Sequence, residues 1–377
     1  MTQTILGDDA LPQCIDFLLN RYASDTLYVL SDHHCWQALP QASRAALQMF
    51  HLNILPESPK AEMALAQRLS IEALHHHGIV SIGSGTLTDL AKYISYHNKI
   101  PHIAVGTAAS MNGYVSANAS LLEAGHKQSF AVKAPDFLFL DIQLLTAAHS
   151  RLTCAGVGDT LCRSTILADH ALATLCHAPP FDLHLLQKVE YEEAALSNRD
   201  TINIKALANA LLASGNAMKE AKSSAPASQS EHMLVHACEL LYPEACAPYY
   251  HGELVAVATV ICAELQDQLW HKSTLQLRPL LSYAEASSVL GETLTQSLYP
   301  SYVHKYQLLA ERLPSLQWKA QRPTFPNRLN ASQLVTKLQE CGCPASPNEI
   351  GLTEAQIKAA SAIARVTRDR ITILDFC

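Results

Sequence analysis

Residues 78–90 read GIVSIGSGTLTDL, an apolar run that passes through Gly83-Ser84-Gly85 into a stretch with helical spacing. This pattern predicts a parallel strand followed directly by a helix. Glycines let the backbone approach a ligand closely, and a helix N-terminus offers free N–H groups and about half a positive charge. We therefore predict a turn that binds a dinucleotide phosphate, with a simple tight turn capped by Thr86 or Thr88 as the alternative.

The segments around this turn also alternate short β-rich runs with helical patterns. Two helical patterns are predicted between the strands, Ala61–His77 and Thr86–His97. Alternation of this kind indicates a parallel sheet with helices on its faces. The predicted strands are Thr26–Ser31, Phe50–Leu55, Gly78–Ile82, His102–Val105 and Asp136–Leu140.

Strand-like runs nearly disappear after about residue 147. We predict an α/β, Rossmann-like domain over residues 1–148 and an all-helical domain over residues 149–377. Ser228 and Glu231 fit a capping box at the start of one helix of the second domain. The segments with helical length and periodicity are Leu161–His177, Leu183–Leu196, Ile204–Lys222, Glu231–Leu241, Leu254–Leu269, Ala331–Glu340 and Thr353–Arg365.

The composition excludes several classes of function. Hydrophobic residues make up 49% of the 377 residues, enough for a substantial core. The net charge of −7 indicates no affinity for nucleic acid or anionic lipid, and no apolar run approaches the ~20 residues of a membrane span. The 11 cysteines lack framework spacing, which fits a reducing cytosol. We expect a cytoplasmic enzyme with a small-molecule substrate, and the charged fraction of 16% fits a homodimer or higher homo-oligomer.

Two further polar features follow predicted strands. Asp32 ends the first strand, where a carboxylate can accept hydrogen bonds from ribose hydroxyls and would repel a 2′-phosphate, favouring NAD over NADP. A cap at the strand end is the alternative interpretation. The segment 107–116 (TAASMNGYVS) follows another strand and is rich in small hydroxyl residues. Such a segment either lines a ligand crevice or is simply a loop.

Three predicted helix starts carry side chains that bind metals. His232 and His236 are four residues apart and therefore share one face of a helix. His251 and Asp159 are predicted on the first turns of two further helices. Two imidazoles and one carboxylate on rigid elements could bind a divalent metal and leave positions open for substrate. An N-cap role for the aspartate and simple packing of the histidine pair are the alternatives.

Taken in order, these motifs resemble the sn-glycerol-1-phosphate dehydrogenases, most closely the bacterial arabinose-operon type. That family belongs to the superfamily of iron-containing alcohol dehydrogenase, glycerol dehydrogenase and dehydroquinate synthase. The resemblance implies a dehydroquinate synthase-like fold, with the site in a cleft between the two domains. It extends nearly end to end and rests on GSGTLTDLAKY (83–93), TAASMNGYVS (107–116), AGVGDTLCRSTILAD (155–169), PASQSEHMLVHACE (226–239), HGE (251–253) and TRDRITILD (367–375).

The resemblance implies a metal-dependent NAD(P) oxidoreductase that interconverts glycerone phosphate and sn-glycerol 1-phosphate by hydride transfer. It implies a divalent ion (nickel or zinc, with iron as a further alternative) bound by Asp159, His232 and His251. Substrate contacts would come from Asn112, Asp159 and His236, and the last two are the expected catalytic residues. His236 would hold a substrate oxygen or relay a proton. The implied NAD(P) contacts are Asp32, Gly83, Ser84, Gly85, Thr86, Leu87, Thr107, Ala108, Ala109, Ser110 and Ser116.

Three positions depart from the family pattern. Asn112 replaces the aspartate that is usual in the family, Ala225 replaces an arginine of the bacterial type, and Gln229 replaces a glycine in the same segment. Because arginine is the natural bidentate partner of a phosphate, its loss leaves an unphosphorylated or differently anionic polyol as an alternative substrate. Arg163 and Lys222 are nearby cations that could substitute for it. The same motifs would also fit a dehydroquinate synthase-like lyase or a non-catalytic nucleotide-binding relative.

Overall fold

The computed structural model describes residues 2–123, 126–176, 178, 180–196, 202–322, 324 and 328–377. Within these described ranges, eight strands lie in the N-terminal part: β1 (Gln3–Gly7), β2 (Leu27–Asp32), β3 (His51–Leu55), β4 (Gly78–Gly83), β5 (His102–Gly106), β6 (Asn118–Glu123), β7 (His126–Ala131) and β8 (Phe137–Asp141). Six of them form a parallel sheet in the order β1-β8-β5-β4-β2-β3. Strands β6 and β7 form a separate antiparallel pair.

Helices make up most of the remaining described residues. Those up to Leu161 are α1 (Ala10–Arg21), α2 (His33–Ala38), α3 (Gln41–Leu47), α4 (Met63–Glu72), α5 (Gly85–Asn98), α6 (Ile142–Thr146) and α7 (Ser150–Leu161). Those that follow are α8 (Arg163–Leu175), α9 (Gln187–Ala194), α10 (Ile204–Ala221), α11 (Ser230–Leu241), α12 (Pro243–Cys246), α13 (His251–His271), α14 (Tyr283–Leu290), α15 (Glu292–Arg312), α16 (Trp318–Gln321), α17 (Ala331–Glu340) and α18 (Glu354–Ala364).

Alternate residues of each central strand enter two hydrophobic cores, one on each face of the sheet. Val29 of β2 belongs to the core that contains Leu18 of α1, whereas Leu30 belongs to the core that contains Leu90 of α5. Because both faces are covered, these strands are nearly continuous apolar runs, as parallel strands generally are. The α/β fold with an all-helical C-terminal part is thereby confirmed.

The chain divides into two compact units. The first contains residues 1–156 and 202–219, and the second contains residues 157–201 and 220–377. Most of α10, which was predicted to belong to the helical domain, therefore lies in the first unit. The sequence-based boundary between residues 148 and 149 stays a prediction. No helix in the described ranges is both long and apolar enough to cross a membrane.

One predicted helix start is wrong. Asp159 lies in the last turn of α7, and a second helix, α8, covers most of the segment predicted as 161–177, whose last residue lies outside the described ranges. The glycines before Asp159 look like a turn, but they serve close packing instead. A Cβ on Gly156 would lie 1.9 Å from the carbonyl oxygen of Ala109, and one on Gly158 would lie 2.0 Å from that of Gly252.

The predicted capping box is also wrong in one of its two residues. Helix α11 begins at Ser230 with Gln229 as its N-cap, so Ser228 is one position too early to cap it. Glu231 does accept a hydrogen bond from the backbone N–H of Gln229, at 2.8 Å. The hydroxyl of Ser228 instead accepts from Arg368.

Candidate active site

Several of the predicted cofactor residues of the first unit lie together at the carboxyl ends of the central strands. Asp32 and Gly83 end the neighbouring strands β2 and β4, and Thr107 follows β5. The N–H of Thr107 donates to the carbonyl of Gly83 at 3.2 Å, and the Sγ of Cys35 lies 3.5 Å from the Thr107 hydroxyl. The chain leaves β2 toward β3 on one side and β4 toward β5 on the other. This is the switch point at which parallel sheets commonly bind nucleotides.

The Gly83-Ser84-Gly85 turn leads directly into α5, as predicted. Ser84 is the N-cap of α5, and its side chain makes no capping hydrogen bond. A Cβ on Gly83 would lie 2.2 Å from Cδ1 of Leu87, so only glycine fits there. The described structure thus presents a helix N-terminus without a side-chain cap, which suits an anionic group.

Asp32 has a structural role as a helix cap. Its Oδ1 accepts from the backbone N–H of Cys35 at 2.8 Å, so Asp32 caps α2. The strand-end cap that was the alternative interpretation of Asp32 is therefore present. A contact from Asp32 to the ribose stays a prediction.

The loop that carries residues 107–116 is fixed by a buried lysine. The ammonium of Lys92 donates to the carbonyls of Gly113 and Asn118 and lies 3.3 Å from the hydroxyl of Ser116. Within the same unit, Nδ2 of Asn112 lies 3.4 Å from the hydroxyl of Ser214. Lys92 therefore helps to position the predicted cofactor residue Ser116.

His232 lies between two carboxylates of the second unit. Its Nδ1 lies 2.9 Å from Oε1 of Glu231, and its Nε2 lies 3.4 Å from Oδ1 of Asp159. Glu231 is fully buried and also accepts from the hydroxyl of Thr165 at 2.9 Å. A carboxylate on Nδ1 orients a metal-binding imidazole so that Nε2 faces the ion.

The second predicted histidine ligand has the same kind of partner. Nδ1 of His251 lies 3.1 Å from Oε1 of Glu239, and its ring centroid is 5.4 Å from that of His232. The close approach of Gly158 to the carbonyl of Gly252 brings α7 against the first turn of α13. The second unit thus places Asp159, His232 and His251 on three neighbouring helix ends.

The electrostatics of this site favour a cation at His232. Burial alone would lower the pKa of His232, but Asp159 and Glu231 outweigh it and raise that pKa to about 9. For His236, burial and the charge of Arg368 lower the pKa well below its ordinary value, so this imidazole is neutral. A divalent ion can replace the proton that the two carboxylates stabilise on His232. The donor set of one carboxylate and two imidazoles fits such an ion.

Two groups of donor atoms in the described structure lie close enough together to hold a metal ion. Atoms of His236, Glu239 and His251 lie within 4.8 Å of one another. Cys162, Glu231 and His232 form a second group, with all three side chains buried. Burial raises the pKa of the Cys162 thiol well above its ordinary value, which disfavours the thiolate that a metal requires. The group around Glu239 is therefore the stronger alternative to the predicted ligands.

Four residues of this region were not predicted from the sequence as part of the site. Glu239 could have been found, because it shares the helix face of His232 and His236 at a spacing of seven and three residues. Arg368 and Arg370 contact the site across about 140 positions of sequence, and no local pattern indicates that. Glu231 had been considered only as a helix cap.

Arg163 and Lys222 were proposed as cations that could substitute for the arginine missing at position 225, and they differ in burial and in partners. Arg163 is buried, and its Nε and Nη2 donate to the two carboxylate oxygens of Glu193 at 2.6 and 3.0 Å. Lys222 is exposed. The charge of Arg163 is thus already neutralised by a bidentate partner.

Known proteins resemble both the sequence and the fold. Residues 5–148 match the family model described as iron-containing alcohol dehydrogenase. A glycerol-1-phosphate dehydrogenase [NAD(P)+] of Sulfurisphaera tokodaii is 31% identical over 271 residues, which are 69% of this chain and 74% of that protein. The Bacillus subtilis protein of the same name is 26% identical over 387 residues, covering 98% of this chain and 89% of that protein.

A solved structure extends the likeness in fold to almost the whole chain. The NADH-dependent butanol dehydrogenase A of Thermotoga maritima superposes with a TM-score of 0.60 at 12% identity, covering 98% of this chain and 90% of that one.

This chain is thus a dehydrogenase, an oxidoreductase with the fold of the iron-containing alcohol dehydrogenases. Within that class, the chain belongs to the glycerol-1-phosphate dehydrogenase family. The predicted family and class of enzyme are confirmed.

Proposed function

We propose that this protein interconverts glycerone phosphate and sn-glycerol 1-phosphate by hydride transfer, with NAD(P) and one divalent metal ion as cofactors. The observation that carries the proposal is the placement of His232 between Asp159 and Glu231. The names of the relatives support both the substrate and the nicotinamide cofactor.

The residues of the second unit have distinct roles in this proposal. Asp159, His232 and His251 bind the metal, with nickel or zinc as the expected ion. A metal held there would supply Lewis acidity toward a substrate oxygen, and a nicotinamide would supply the hydride acceptor or donor. Glu231 and Glu239 orient the imidazoles of His232 and His251 through contacts with their Nδ1 atoms.

His236 is suited to hold a substrate oxygen. A guanidinium can only donate, so the Nη2 of Arg368, 3.4 Å from Nδ1 of His236, requires that Nδ1 accept. The neutral ring then carries its hydrogen on Nε2, which can donate to a hydroxyl or carbonyl oxygen.

In the first unit, the α5 N-terminus would bind the pyrophosphate through Gly83, Ser84, Gly85, Thr86 and Leu87. The loop residues Thr107, Ala108, Ala109, Ser110 and Ser116 would line the remaining cofactor surface, with Asn112 facing the substrate. The arrangement of Gly83 and Thr107 at adjacent strand ends supports this assignment.

A substrate screen tests the proposal directly. Metal-stripped protein is reloaded with nickel or zinc. It is then incubated with glycerone phosphate (also called dihydroxyacetone phosphate), dihydroxyacetone or glyceraldehyde 3-phosphate in the presence of NADH or NADPH. We expect oxidation of the reduced nicotinamide only with metal and dihydroxyacetone phosphate, with sn-glycerol 1-phosphate as the product. Unchanged nicotinamide absorbance with all three carbonyl compounds would contradict the proposal and leave a lyase, which returns its NAD oxidised.

A further inference from the structure

Two arginines of the C-terminal tail lie side by side next to His236. Arg368 donates from Nη1 to the hydroxyl of Ser228 at 3.0 Å, and its Nη2 lies 3.4 Å from Nδ1 of His236. Arg370 donates from Nη2 to the hydroxyl of Ser224 at 2.7 Å and from Nη1 to the carbonyl of Ser228. All of these partners are neutral.

Neither guanidinium forms a salt bridge with a carboxylate of the described residues. Asp369, which lies between them in sequence, is exposed, and the buried charge that acts on both is Glu231, which is already bound to His232. Burial lowers the pKa of Arg368, and burial together with the charge of Arg368 lowers that of Arg370 to about 10. Two like charges are therefore partly desolvated together without an anion to neutralise them, which is unfavourable unless a ligand supplies one.

We propose that Arg368 and Arg370 form the subsite that binds the phosphate group of a phosphomonoester substrate. This inference rests on the proposed function and specifies the substrate class of the same site. A phosphate dianion accepts from several guanidinium N–H groups at once, and such charge-assisted bonds are the strong ones. His236 would then contact an oxygen of the same substrate.

The location explains why Ala225 need not exclude a phosphorylated substrate. The two arginines contact Ser224 and Ser228, which lie on either side of Ala225 in sequence. The tail thus brings two guanidinium groups to the segment where the bacterial type that this chain resembles has one arginine.

A buried lysine fixes the tail that carries the two arginines. The ammonium of Lys305 donates to the carbonyls of Arg365 and Arg370, both at 2.9 Å, and pairs with Asp375 at 2.9 Å. These three contacts bracket Arg368 and Arg370 in the chain. The subsite is therefore preorganised rather than assembled from a loose terminus.

Selectivity between two ketones tests the subsite. We compare kcat/KM for dihydroxyacetone phosphate with that for dihydroxyacetone in the wild type, Arg368→Ala, Arg368→Lys and the control Lys358→Ala, which removes an exposed charge from α18. For Arg368→Ala we expect the ratio to fall about 100-fold, mainly through KM, because a site built for a polar group loses that discrimination when the partner is removed. Arg368→Lys should recover part of the ratio, and Lys358→Ala should leave it unchanged. An unaltered ratio in Arg368→Ala would overturn the proposal.

A binding measurement separates this inference from the proposed function. Inorganic phosphate is titrated into the metal-free protein, and both the heat of binding and the shift in Tm are recorded. We expect saturable binding in the wild type and Lys358→Ala, and at least tenfold weaker binding in Arg368→Ala and Arg370→Lys. Phosphate binding without dehydrogenase activity would reject the function while keeping the subsite. Equal binding by the wild type and folded Arg368→Ala, or no binding by either, would reject the subsite.

Discussion

Nε2 of His232 lies 3.4 Å from Oδ1 of Asp159, while Nδ1 of the same ring lies 2.9 Å from Oε1 of Glu231. The two carboxylates come from different helices, α7 and α11, and the imidazole is buried between them. One carboxylate can therefore serve as a ligand beside Nε2 while the other sets the direction of the ring.

This relationship predicts the effect of Glu231→Gln. The amide keeps nearly the same shape but is a weaker acceptor for Nδ1–H, so the ring becomes less basic and less well oriented. We expect metal affinity to fall about 10–100-fold, because loss of such a supporting partner has that effect in other metal sites. Competition with a chromogenic chelator measures the affinity. Thr165→Val removes another bond to Glu231 and should weaken binding less; a larger effect of Thr165→Val would contradict this role.

A second prediction concerns the choice of nicotinamide. Asp32 ends β2 at the switch point, where its charge would repel the 2′-phosphate of NADP. We expect the wild type to prefer NAD, with a higher kcat/KM for NAD than for NADP. In Asp32→Asn the ratio of these two values should fall about tenfold, because the amide keeps an acceptor for the cap of α2 but not the charge. Steady-state kinetics with both cofactors measures the ratio. Asp16→Asn, an exposed change on α1, is the control, and equal use of both cofactors by the wild type would refute the role of Asp32.

A third prediction concerns stability at low pH. His102 is fully buried in β5, where burial and then the charge of Lys92 lower its pKa from 6.5 to about 3. Between these values the unfolded chain binds a proton that the folded chain does not, so the folded state loses stability as pH falls below about 6.5. The loss approaches ~1.4 kcal/mol per pH unit.

Denaturant unfolding of the wild type and His102→Gln at pH 7 and pH 5 tests this sign. Glutamine can still bond to the hydroxyl of Ser81, which lies 2.8 Å from Nε2 of His102. We expect the wild type to lose about 2 kcal/mol more than the variant over this interval. His271→Gln, at an exposed position, should behave as the wild type does. An equal loss in the wild type and His102→Gln would show that His102 does not titrate in this way.

Much of the fold was predictable because its elements have strong local signals. The helix Ala331–Glu340 was predicted at both ends, and the central strands were predicted within about one residue, because buried parallel strands are apolar runs bounded by polar or glycine positions. The pair β6 and β7 was missed, because its stability comes from pairing and not from an apolar pattern. The edge strand β1 was missed for the same reason, as Gln3 and Thr4 are exposed.

The candidate site was only partly predictable. His232 and His236 stood out because they are four residues apart on one helix, and His251 because it opens a helix shortly after Pro248. Gly156 and Gly158 misled the interpretation of Asp159, since close packing and a tight turn both require glycine. Arg368 and Arg370 reach Ser228 from about 140 positions away, and only tertiary structure brings such residues together.

The decisive test of the metal site compares the metal content of Asp159→Asn with that of Glu239→Gln. Each protein is dialysed against nickel or zinc, freed of excess ion and analysed by mass spectrometry, with circular dichroism as the check on folding. If Asp159, His232 and His251 bind the ion, folded Asp159→Asn should lose nearly all bound metal, whereas Glu239→Gln should retain close to one ion per chain with weaker affinity. Wild-type metal content in Asp159→Asn, with loss in Glu239→Gln, would contradict this ligand set and place the ion with His236 instead.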